Sequence, residues 1–191
     1  MSSAEPPPSA AAASRCPVPP EPPWLRPPLL LRLEAIERGH RRAFGRSLLP
    51  GDPGRPARLR AQELFSACFV LLAHDGADPS LDPGPRLIYA NRAALRLWRR
   101  PWDALVGMPS RLTAEPSERA SRARALGDVR RQHAIRGYSG IRVDSEGRRF
   151  WIHNARVWTL WLQDASGHDR PCGQAAAFSD WHWLEGSAGH S

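Results

Sequence analysis

The chain is 191 residues long, carries 27 basic against 19 acidic side chains and has a formal net charge of +8. Its length suits one domain with flanking segments, and no apolar run approaches the ~20 residues that span a membrane as a helix. Every basic residue is arginine, as GC-rich genomes tend to encode, so the charge implies general attraction to polyanions at low salt.

Residues 1–28 hold ten of the 20 prolines, with Ala and Ser between them. Such a segment buries too little apolar surface to offset its ordering entropy and is expected to be a disordered arm. It lacks the basic and apolar regions of a signal peptide. Leu29 to Leu48 has helical period, with Leu30, Leu33, Ile36 and His40 on one stripe. The preceding Pro27-Pro28 and the following Pro50-Gly51 bound it. GDPGRPARLR reads as a connection, and Phe69 to Leu72 as the first strand. A turn-rich loop, AHDGADPSLDPGP, leads to a second strand over Leu87 to Ala90. Helices are expected at about 92–99, 101–106 and 116–134. The last carries Arg119, Arg122, Arg124, Arg130 and Arg131 and reads as a solvated face paired with Glu115, Glu118 and Asp128.

The second half reads as strands: Ser139 to Val143, Arg149 to Leu162 and Gly173 to Trp181, joined by turns at Asp144–Gly147 and Asp164–Gly167. On the long strand Phe150, Ile152, Trp158 and Leu160 share one parity, and Trp151, His153, Ala155, Val157 and Trp161 the other. Two strands, several helices and a three-strand meander predict an α+β domain, a five-stranded antiparallel sheet with helices packed on one face. The domain is expected over 29–183, with a short flexible tail at 184–191.

Three cysteines, Cys16, Cys68 and Cys172, stand in unrelated contexts, which argues against a disulfide framework and fits a reducing, cytoplasmic compartment. His168 and Cys172 form too weak a motif for a metal site. Ser110, Ser139 and Ser179 lack a nucleophile-elbow context, no histidine stands in a motif that would orient a nucleophile, and phosphate-cradling Gly loops are missing, so catalysis is not expected. Without a recognition helix or stacking platform, no specific nucleic-acid partner is expected either.

The run Leu87-Ile88-Tyr89, Asn91, a helix through Ala94, Leu95 and Trp98, a second short helix and Gly107 resembles the PAS sensor fold. The detailed wording resembles one PAS-related family, the MEKHLA domain, found alone in bacteria and at the C-terminus of plant class III homeodomain–leucine-zipper proteins. The matching pieces are AHDGADP (73–79), YANRAAL (89–95), PSRLTAEP (109–116), GYSGIRVDSEGRRF (137–150), VWTL (157–160) and GQAAAFSDW (173–181). With the N-terminal helix they span roughly 29–183. The hexapeptide that gave the family its name is missing.

The resemblance implies a cavity between the sheet and its covering helices. Its expected lining includes Tyr89, Trp98, Leu105, Phe150, Ile152, Trp158 and Gln174; the alternative is that these side chains fill the core. Asn91 is expected to cap the following helix. GMPSRLT (107–113) is similar to the region where flavin-binding LOV domains carry a reactive cysteine, but Ser110 stands there, which excludes a thiol–flavin adduct. Arg111 either binds an anionic ligand or pairs with Glu115 or Asp103. The cofactor stays unnamed. Two functions remain open: a sensory, ligand-binding module acting through a protein effector, or an interaction module with a filled core. A homodimer is expected through Leu30, Leu33 and Ile36, with packing of that helix on its own sheet as the alternative.

Overall fold

The computed structural model describes residues 20–52 and 54–185. Residues 1–19 of the expected arm and 186–191 of the expected tail lie outside the described residues. Among the described residues six strands form one antiparallel sheet: β1 (Val70–Asp75), β2 (Leu87–Ala90), β3 (Ala134–Val143), β4 (Arg149–Gln163), β5 (Asp169–Phe178) and β6 (Asp180–Trp183). Their order is β2-β1-β5-β4-β3, and β6 continues beyond β5 along β4, opposite Phe150 to His153. The five expected strands are present. The sixth arises because β5 pairs with β4 only from Arg156 onward, leaving the earlier part of that edge free.

Among the described residues five α-helices flank the sheet: α1 (Pro27–Phe44), α2 (Ala57–Ser66), α3 (Arg92–Leu97), α4 (Trp102–Leu105) and α5 (Arg119–Gln132). They cover both faces, not one. On the inner face, α3, α4 and α5 pack over Leu72, Phe150, Ile152, Val157 and Phe178. On the outer face, α1 and α2 pack over Leu71, Ala73, Tyr89, Trp158, Leu160, Ala175 and Ala177.

The face assignment of β4 corrects the simple alternation read from sequence. Phe150 and Ile152 belong to the inner cluster, and so do Ala155 and Val157, whereas Trp158 and Leu160 belong to the outer one. The parity switches at Asn154, which takes φ = 49°, where the β3–β4 register also slips on either side of Tyr138. An extra residue in one strand rotates everything after it onto the opposite face.

α1 ends at Phe44 rather than Leu48, because Gly45 adopts a left-handed conformation (φ = 69°) and its N–H reaches the Arg41 carbonyl. Leu33 and Ile36 are buried against the chain's own sheet and Leu30 packs beside them. The stripe expected to form a dimer interface is therefore consumed internally, as an amphipathic helix beside an apolar sheet face requires. Gly39 lets α1 lie almost on the β4 backbone. A Cβ there would collide with the Thr159 carbonyl oxygen and sit 2.9 Å from the Trp158 ring. Gly39→Ala gains up to ~1 kcal/mol of helix propensity but forces the helix off the sheet, at ~1–3 kcal/mol or more. A lower melting temperature is expected; an unchanged or raised one would show that α1 is free to shift.

Residues 20–28, expected in the disordered arm, are packed. The Trp24 ring stacks on Phe65 at 3.4 Å between centroids and its indole N–H donates to Gln62 Oε1 at 3.0 Å. Glu21 pairs with Arg58, and α1 already begins at Pro27. The domain starts before residue 29 because one tryptophan finds an apolar slot on α2 that proline density alone conceals. The connection GDPGRPARLR is likewise partly helical, its last four residues opening α2.

Candidate functional site

Directly paired residues on neighbouring strands share a sheet face. Thus Leu72, Ala176 and Val157 form one inner row, and His74, Gln174 and Thr159 the next. α5 is tied above them by two side-chain hydrogen bonds: Gln174 Nε2 donates to the Leu126 carbonyl at 2.9 Å and Thr159 Oγ1 to that of Val129 at 3.4 Å. Between this floor and the helices lies a cavity of about 60 Å³. Leu72, Leu87, Trp98, Leu126, Ile152, Val157 and Phe178 make it mainly apolar, and His74, Arg122, Tyr138 and Arg142 supply its polar points.

His74 Nδ1 lies 2.6 Å from the Asp75 carbonyl oxygen. A carbonyl only accepts, so the proton sits on Nδ1 and Nε2 presents a lone pair. Among the described residues that Nε2, the Trp98 indole N–H and the Gln174 Oε1 have no hydrogen-bond partner. Burial, reinforced by Arg122, lowers the His74 pKa from 6.5 to about 4. On the outer face His40 is lowered likewise, first by burial and then by Arg156, whose guanidinium donates to Nε2 at 3.0 Å.

Both imidazoles stay neutral in the folded protein down to about pH 4, while the unfolded chain takes up those protons from about 6.5. Folding stability should therefore be complete above pH 6.5 and fall progressively toward pH 4, by up to ~3 kcal/mol from His74. Asp78, Asp144 and Asp164, held below the usual carboxylate range by hydrogen bonds to Ser80, Arg148 and Arg170 despite any burial, add acid loss only below that window. Urea midpoints measured from pH 7.5 to 4.5 test this; a flat profile would mean both rings are accessible to protons.

Of the expected lining, Trp98 and Ile152 face the cavity. Phe150 stands behind Trp98, edge-on at 5.2 Å, and Leu105 is fully buried in the same cluster, so both support the wall without lining it. Tyr89 and Trp158 are on the outer face and take no part. Gln174 borders a second cleft with His74, Asp75 and Arg130. Asn91 has no valence left for a ligand: its Oδ1 accepts from the Ala94 and Leu71 N–H groups, each at 3.0 Å, and its Nδ2 donates to the Phe69 carbonyl at 2.7 Å. The expected cap is present and also ties α3 to β1. Arg111 pairs with Asp82 at 2.7 Å, not with Asp103 or Glu115; Glu115 instead holds Arg149 at 2.6 Å.

Sequence reasoning overlooked His74, Arg122, Tyr138 and Arg142. His74, Tyr138 and Arg142 lie inside the AHDGADP and GYSGIRVDSEGRRF runs, which was the available signal. Arg122 shares the inward stripe of α5 with Leu126 and Val129, at i, i+4 and i+7.

The sequence model of the MEKHLA domain matches residues 31–183. The chain belongs to the MEKHLA domain family. No curated protein matches its sequence. Among solved structures, the PAS domain of a Colwellia psychrerythraea protein aligns with a TM-score of 0.50 at 12% identity, covering 63% of this chain and 92% of that one. That likeness shows the fold. A fungal LOV-domain photoreceptor aligns at 0.45 and 18% identity, over 82% of this chain and 90% of that one. A flavin does not fit this MEKHLA domain. Its cavity of about 60 Å³ is far below the ~300–1,000 Å³ typical of sites for drug-sized molecules, and Ser110, fully buried, offers no thiol. Among the described residues no helix is long and apolar enough to cross a membrane, and no cluster of three or more metal-ligating side chains occurs.

Proposed function

We propose that this MEKHLA domain is a sensory module: a small molecule enters the cavity between the inner sheet face and α5, and the occupied state is read by a protein partner in the cytoplasm. The observation that carries the proposal is a mainly apolar cavity whose buried His74 Nε2 and Trp98 Nε1 lack partners among the described residues. Buried polar atoms are almost always paired, and each exception calls for an explanation; a ligand supplies one. In this reading the domain performs no chemistry of its own, and no role falls to α1 as a dimer interface, since Leu33 and Ile36 are covered by the chain's own sheet.

Native mass spectrometry of freshly purified full-length protein tests the proposal. A bound small molecule is expected, and Ala176→Leu, which fills the cavity floor, should abolish it. Wild-type protein without an adduct, and with the same stability as the filled variant, would favour an interaction module with a closed core.

A further inference from the structure

We infer that the cavity selects a compact organic carboxylate, an anionic head on an apolar body, through Arg122 and Arg142. The inference rests on the ligand-sensing reading above and adds the chemical class of the ligand.

Arg142 lies on β3 opposite Phe150, on the same inner face as Tyr138, and is 5% exposed. Its Nη1 donates to the Ile141 carbonyl and its Nη2 to the Tyr138 hydroxyl, both at 2.6 Å. Those partners are neutral, so the charge stays uncompensated. Arg122 projects from the inward stripe of α5 into the same cavity. Among the described residues neither guanidinium forms an ion pair, and Arg122 makes no side-chain hydrogen bond. The neighbouring arginines of α5 behave differently: Arg130 pairs with Asp78 and Arg131 with Asp128.

Two like charges therefore face one low-dielectric space. Burial, with Arg142 as the next contributor, depresses the Arg122 pKa to about 9, still leaving it charged at neutral pH. Arg142 is buried and Arg122 half-buried; an uncompensated buried charge is costly, and a bound anion would pair with both groups at once. The planar guanidinium fork matches the two oxygens of a carboxylate. The Trp98 indole N–H, also without a partner, is a third donor on this cavity. Leu72, Leu87, Ile152, Val157 and Phe178 call for an apolar body, which a bare inorganic anion lacks.

The test uses the full-length protein in calorimetric and thermal-shift titrations at pH 7. Propionate and butyrate, small enough for the cavity, are compared with the neutral propanol and butanol, and with inorganic phosphate. Saturable binding of at least one carboxylate is expected, at least tenfold tighter than its alcohol, with phosphate weaker still. Arg122→Met should lose that tenfold while leaving alcohol binding unchanged, and Arg122→Lys, which keeps the charge but not the fork, should fall between. Alcohols binding as tightly as the carboxylates, or Arg122→Met binding them unchanged, would overturn anion selection and leave the sensory reading standing. Phosphate binding as tightly as the carboxylates would overturn the apolar-body part. If no probe binds up to ~10 mM and the native mass spectrum shows no adduct, both readings fail. If an adduct is present, its charge decides: a neutral molecule overturns the inference.

Discussion

Trp158→Ala is expected to destabilise the domain by ~3–5 kcal/mol. The side chain is fully buried between α1 and β4. Its indole N–H donates to the Ile36 carbonyl at 2.9 Å, and its ring meets His40 and Phe44 edge-on at centroid distances of 5.0 and 6.0 Å. Truncation would leave a void that the helix cannot close, because Gly39 already holds it against the strand. Trp161 should lose less on the same change, since it lies nearer the β4–β5 turn under the Arg42 guanidinium, 4.2 Å from its ring. Urea unfolding of the two variants decides the point. Equal and small losses would contradict the packing of α1 on the outer face.

A second large effect is expected at Glu37 and Arg60, which pair across α1 and α2. Each side chain is only 10% exposed. Arg60 holds the carboxylate through two nitrogens, with Nε donating to Oε2 at 2.9 Å, and its Nη1 donates to the Asp52 carbonyl at 3.1 Å. The hydrogen bond to Glu37 raises the Arg60 pKa above its ordinary value against the effect of burial. Removing one partner strands the other's charge, so Glu37→Met and Arg60→Met should each cost ~3–5 kcal/mol. The double variant should be much closer to wild type, because a paired buried charge contributes little net stability over apolar side chains of similar volume. Thermal and urea unfolding of the full double-mutant cycle measures the coupling. Additive losses would mean that solvent reaches the pair.

Much of the fold could be read from the sequence where a residue type has one local solution. Asn91 between a short strand and a helix announced a cap, and the structure has it accepting from Ala94 N–H. Asp144 and Asp164 announced turns, and each carboxylate accepts backbone N–H groups across its hairpin. The cavity was harder. Trp158 shares sequence parity with Ile152 yet packs on the opposite face, and the only hint was an asparagine in mid-strand, a residue type that tolerates positive φ. Arg122 was hidden by company. With five arginines in α5, the inward stripe is reduced to Ala125, Leu126 and Val129, too thin to separate an inward-facing arginine from its solvated neighbours. Trp24 and Arg60 were masked in the same way by the prolines and arginines around them.

The bulge at Asn154 also bears on how this chain tolerates insertions and deletions. Point substitutions there would meet little packing, since the side chain is exposed. Removing the residue would place Ala155 directly after His153, and the strand would resume strict alternation with Ile152, Ala155 and Val157 still inward and Trp158 still outward. Removing a residue elsewhere within β4 would instead exchange the linings of the two faces between that point and the bulge or the strand end. In an alignment of homologous chains, a gap within β4 is therefore most expected at this point, whichever amino acid occupies it.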